Sequence, residues 1–80
     1  MKLYVTMTDK FMSGWGKASG MINKYIVICE SWEDAETVEK NAHKRPEMKY
    51  ININITEPKQ KSGYLLTFKH FNELGNIWTK

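Results

Sequence analysis

Cysteine occurs once in these 80 residues, histidine and proline twice each, and no apolar run approaches the length of a membrane span. The lone Cys29 makes an intramolecular disulfide impossible, and its setting in Ile26-Val27-Ile28-Cys29 marks it as a buried small hydrophobe. A reducing, cytoplasmic location is expected. The opening Met-Lys-Leu-Tyr-Val-Thr lacks the continuous apolar stretch that export requires, so the chain is expected to be soluble and unprocessed, with no membrane partner. His43 and His70 lie far apart, and Glu39 with His43 shares a helix face in the manner of surface electrostatics. No metal is expected.

Nucleotide-loop signatures are also missing. Gly14, Gly16 and Gly20 depart by one residue from G-x-G-x-x-G, and Gly16-Lys17 is followed by Ala18 where a P-loop needs Ser or Thr. Neither parent fold fits in a chain of this length, and no cofactor is expected. Catalysis needs a nucleophile, an oriented base and an oxyanion donor converging in a pocket, whereas Asp9-Lys10 beside Ser13 offers proximity alone. The protein is expected not to be an enzyme.

Eighty residues make a single domain, 1–80, near the lower limit for one hydrophobic core. From Leu3 to Thr8 apolar and polar residues alternate as in a half-buried strand, and Lys24 to Glu30 is apolar on both faces, as in a central strand. Ser31 followed by Asp34 approximates a capping box, with acids near the positive end of the helix dipole. Ala35, Val38 and Ala42 recur at helical spacing until Arg45-Pro46, which predicts a helix from Trp32 to about Lys44. Met48 to Thr56 alternates again, placing Ile51, Ile53 and Ile55 toward the helix, and Tyr64 to Phe71 is extended with Leu66 and Phe68 as core members. Between these two, Glu57 to Gly63 has the composition of a turn. Residues 72–80 are too short for an independent element, although Ile77 and Trp78 can fold back onto an exposed part of the sheet.

The expected fold is α+β, ordered β-β-α-β-β, a four-stranded and mostly antiparallel sheet with one helix on one face. The other face stays open. Alternation places Tyr4, Thr6 and Thr8, then Tyr50, Asn52 and Asn54, and also Tyr25 and Thr67, on that face, where aromatics and amides can stack bases or join two subunits.

Charge is unevenly placed. Residues 30–39 hold five of the nine acidic side chains and no basic one, so the rest of the chain sets twelve basic against four acidic residues, a surplus of +8. Such a surplus draws polyanions, though it also serves solubility. Lys59 and Lys61, with Lys49 and Lys69, form a basic rim that can neutralise phosphates or guard strand edges against aggregation.

The connection from Asp9 to Ile22 exceeds a tight hairpin, and long connections in compact domains tend to be binding elements or disordered. Gly14 and Gly16 let backbone approach a ligand, Lys10, Lys17 and Lys24 bring charge, Ser13 donates a hydroxyl, and Trp15 is a flat plate for a ring. The competing reading has Trp15, Phe11 and Met12 anchoring the loop to the core. The candidate ligand-binding set is Lys10, Ser13, Gly14, Trp15, Gly16, Lys17 and Lys24 from this region, with Tyr4, Lys49, Tyr50 and Asn52 from the sheet.

Residues Tyr4-Val5-Thr6-Met7-Thr8-Asp9-Lys10-Phe11-Met12-Ser13-Gly14-Trp15-Gly16, then Ile22-Asn23-Lys24 and Met48-Lys49-Tyr50-Ile51-Asn52-Ile53, resemble a group of small proteins encoded by phages, prophages and other mobile elements of gut bacteria. The resemblance spans the first two-thirds of the chain and fades beyond Pro58. It implies context: a cytoplasmic accessory protein that either handles DNA or RNA, or binds and blocks a host protein such as a defence nuclease. The expectation is a non-catalytic module binding nucleic acid or another phosphate-bearing ligand. A host or phage protein is the alternative partner, and a homodimer through the open face is a third reading.

Overall fold

Each strand follows from its alternation. The structure, a computed structural model, describes residues 2–10 and 20–80. Strands β1 (Leu3–Asp9), β2 (Ile22–Cys29), β3 (Met48–Asn54) and β4 (Tyr64–His70) form one sheet in the order β3-β1-β2-β4. Two pairings are antiparallel and the third, β2 with β4, is parallel. Helix α1 (Trp32–His43) covers one face, so the chain is a small α+β domain with the expected element order. Among the described residues no helix is long and apolar enough to cross a membrane.

The predicted cap is in place: Ser31 accepts a hydrogen bond from the Asp34 amide at 3.1 Å, satisfying one of the donors a helix start leaves unpaired. Ala35, Val38 and Ala42 turn inward onto Leu3, Val5, Met7, Val27 and Cys29, and this cluster is the core. Ile51 and Ile53 pack against it. Ile55 does not: β3 ends at Asn54, and Ile55 is 71% exposed.

The C-terminal segment lies on the helix side. After a short 3₁₀ turn (Phe71–Glu73), α2 (Asn76–Thr79) brings Trp78 into the core, where its ring meets Tyr25 at 5.7 Å. Buried Asn41 of α1 clamps this end, donating to the carbonyls of Trp78 at 2.8 Å and Lys80 at 3.0 Å. Tyr25 therefore faces the helix, as does its β4 neighbour Thr67, and neither belongs to the opposite face as alternation had suggested. The reason is register: β2 presents Tyr25, Val27 and Cys29 inward, and parallel pairing carries Thr67 with them. Leu66 and Phe68 accordingly lie on the far face, outside the expected core.

The segment between β3 and β4 is not a hairpin turn. These strands occupy opposite edges of the sheet and point the same way, so residues 55–63 must return diagonally across it. Crossing three strand spacings of about 4.8 Å and some six residues of strand needs roughly 25 Å, within the ~33 Å reach of ten residue steps. Gly63, at φ 87°, makes the turn into β4, and its carbonyl accepts from the Ile22 amide at 2.9 Å.

A candidate phosphate-binding face

Sheet register fixes what the face away from α1 displays. One row runs Lys49, Thr8, Lys24, Leu66 across the four strands; the next runs Asn52, Thr6, Ile26, Phe68; the third runs Asn54, Tyr4, Ile28, His70. The strap of residues 55–63 passes over these rows, because Thr6, Lys24 and Ile26 of the sheet and Ile55 to Lys59 and Lys61 of the strap line one groove of about 530 Å³. Coverage by the strap explains why Tyr4 and Ile26 are 7% and 1% exposed on a face with no helix. Tyr4 is thus removed from the stacking role its alternation suggested. Its hydroxyl lies 3.4 Å from Glu57 Oε1, tying the strap to β1.

Tyr50 has the opposite fate. Between Thr6 and Thr8 the β1–β3 register slips by one, so that Tyr50 and Ile51 together oppose Met7 in a β-bulge. Tyr50 sits there at φ 54°, a left-handed conformation that tyrosine rarely adopts, and the Asn52 side chain braces the bulge by donating to the Tyr50 carbonyl at 3.2 Å. The ring remains 68% exposed, with the ammonium groups of Lys10 and Lys24 each 6.0 Å from its centroid. These are weak cation–π contacts at the edge of the useful range.

Lys24 joins the bulge to the groove. Burial lowers its pKa below the ordinary lysine value, and the nearby positive charge of Lys61 lowers it further. Both causes penalise the ammonium form, and an anion beside Lys24 offsets the repulsion from Lys61. Lys59 and Lys61 of the strap line the same groove, where Glu57 is the one carboxylate. Lys69, the fourth member of the expected basic rim, pairs with Val27 and projects from the helix-side face, away from this cluster.

Of the residues singled out by sequence, Lys10, Lys24, Tyr50 and Asn52 meet at the bulge, Lys49 shares the Lys24 row two strands away, and Tyr4 is buried two rows along. Ser13, Gly14, Trp15, Gly16 and Lys17 lie outside the described residues, as do Phe11 and Met12. Sequence reasoning missed the approach of Lys59 and Lys61 to Lys24, which requires a crossing strap that turn-like composition does not announce. Other chemistry is sparse. Among the described residues no three His, Cys, Asp or Glu side chains gather as a metal site. His70 Nε2 pairs with Glu30 at 3.1 Å while its Nδ1 accepts from the Asn72 amide, a capping arrangement. The Cys29 thiol is pushed up to about 11, by burial first and then by Asp34 and Glu30. A thiol held protonated in this way is a poor nucleophile.

The chain matches no family model, no curated protein and no solved structure.

Proposed function

We propose that the protein is a non-catalytic binding module for nucleic acid or another phosphate-bearing ligand, serving in the cytoplasm as a small accessory protein of a phage or mobile element. The observation that carries this reading is the Tyr50 bulge: a strained backbone presents an exposed ring flanked by Lys10 and Lys24. Strain of this kind persists where the surrounding structure enforces it, and it gathers at binding sites. Lysines supply the charge that phosphates require, and an exposed ring accepts any base by stacking. The Gly/Trp/Lys connection, whose described ends are Lys10 and Gly20, enters the proposal on its composition alone. The phage context rests on the resemblance of residues 4–16, 22–24 and 48–53.

Fluorescence anisotropy with a labelled single-stranded oligonucleotide tests the reading. Binding at low salt that weakens steeply as salt rises, and weakens again in Tyr50→Ala, supports it; no binding at low salt overturns it.

A second reading has its own observation. Trp32 is 48% exposed at the start of α1, next to the exposed acids Glu33 and Glu36, on the face of the sheet opposite Lys24 and Lys49. An aromatic anchor within an acidic rim suits a basic protein surface, and a host protein such as a defence nuclease is the partner this reading proposes. A host protein retained by the wild type and by Lys24→Gln, but lost in Trp32→Ala, supports it, and equal retention by all three counts against it. Self-association through exposed Ile22 and Phe68 is the remaining option, which a strictly monomeric mass by light scattering removes.

A further inference from the structure

Above the strands, the strap and the sheet enclose a groove with two distinct linings. Its accessible apolar lining is Tyr64 and Leu66, half-buried along β4, whereas Ile26 is already covered. Ile55, on the strap, lines the same groove and is 71% exposed. Lys24, Lys59 and Lys61 set three positive charges at the same groove against the single carboxylate of Glu57, which is engaged by Tyr4. The volume of about 530 Å³ falls within the range of roughly 300–1,000 Å³ typical of small-molecule sites.

We propose that this groove seats one nucleoside phosphate, with the base beside the strap against Ile55, Tyr64 and Leu66 and the phosphate held by Lys24, Lys59 and Lys61. The proposal rests on the reading above and deepens it by naming the unit bound. A ligand matching both linings must join a flat apolar body to an anion of more than one charge. A carboxylate brings a single charge, whereas a terminal phosphate brings about −1.5 to −2 at neutral pH. Lysine suits it as a compact point charge that does not demand bidentate geometry. A paired base is stacked within its duplex and cannot enter the groove, so the unit comes either from a free nucleotide or from an unpaired, phosphate-bearing end of a single strand, an internal phosphodiester bringing only one charge.

The test is an amide chemical-shift titration of the full chain with adenosine and uridine monophosphate, the matching nucleosides, inorganic phosphate, and single- and double-stranded oligonucleotides. Saturable shifts at residues 55–61, Lys24 and Leu66 are expected with the monophosphates, and at least tenfold weaker binding with nucleoside or phosphate alone. Lys59→Gln and Lys61→Gln should each weaken the monophosphate by about tenfold, as loss of a charge-assisted hydrogen bond does. Lys44→Gln, the same charge change at the end of α1, should leave it unaltered. Displacement of the monophosphate by the single-stranded oligonucleotide assigns the groove to a strand's unpaired nucleotide, and persistence assigns it to the free nucleotide. Equal binding of nucleoside and nucleotide overturns the proposal. Oligonucleotide shifts confined to the Tyr50 end, with a silent groove, also overturn it but leave the broader reading standing, whereas silence toward every ligand removes both.

Discussion

Replacing Tyr50 by glycine and by alanine separates backbone strain from the ring. At φ 54° any residue with a Cβ meets the steric penalty of the left-handed region, about 1–2 kcal/mol, which glycine escapes. Glycine has its own cost, since its greater freedom in the unfolded chain makes it worse than alanine by about 0.5–1 kcal/mol in ordinary strands. The difference leaves Tyr50→Gly more stable than Tyr50→Ala by roughly 1 kcal/mol, reversing the usual order; for a domain of this size that is about 4–8 °C in melting temperature. With the ring 68% exposed, its removal takes little burial from either variant, so Tyr50→Gly should match or exceed the wild type. Denaturant unfolding of the three proteins gives the free energies, and the same samples give oligonucleotide affinity, which both variants should lose alike. A glycine variant less stable than the alanine variant would refute the bulge geometry. Full affinity in both would refute the role of the ring.

Asn41→Ala removes two hydrogen bonds that hold the Trp78 and Lys80 carbonyls, and it should cost about 2 kcal/mol, read as a fall in melting temperature of about 8–16 °C. Cys29, fully buried with its thiol pushed up to about 11, should resist aromatic disulfide reagents at pH 8 in the native state and react as one thiol after denaturation. Glu30 has its carboxyl held below the ordinary value of 4.5, chiefly by the hydrogen bond from His70. Because the folded value is the lower one, its contribution is present above the unfolded pKa and fades as pH falls through the folded pKa. Thermal melts should therefore separate wild type from Glu30→Gln at pH 7 and bring them progressively together as pH falls below the ordinary carboxylate value.

Local features were the legible ones. The Ser31 cap, the inward spacing of Ala35, Val38 and Ala42, and the alternation of Leu3, Val5 and Met7 each depend on neighbours within a turn or a strand, so the sequence order exposes them. Long-range pairing was not legible. Glu57 to Gly63 has the same turn-forming composition whether it closes a hairpin or crosses a sheet, and the choice is made by β4 pairing in parallel with β2. That one pairing sends Leu66 and Phe68 to the far face, turns Thr67 toward the helix, buries Tyr4, and brings Lys59 and Lys61 to Lys24. The lysines and the tyrosine of the candidate face were visible as a surplus of charge and an interleaved aromatic. Their convergence was not, because it depends on the strap and on a register slip at Tyr50.

The salt dependence of single-stranded oligonucleotide binding tests the central claim most directly. With Lys10, Lys24 and Lys49 each at a separate phosphate, the logarithm of affinity should fall against the logarithm of salt with a slope of about −2.1, and Lys24→Gln should reduce it to about −1.4. A slope near zero, or one that Lys24→Gln leaves untouched, would show that this face does not hold phosphates.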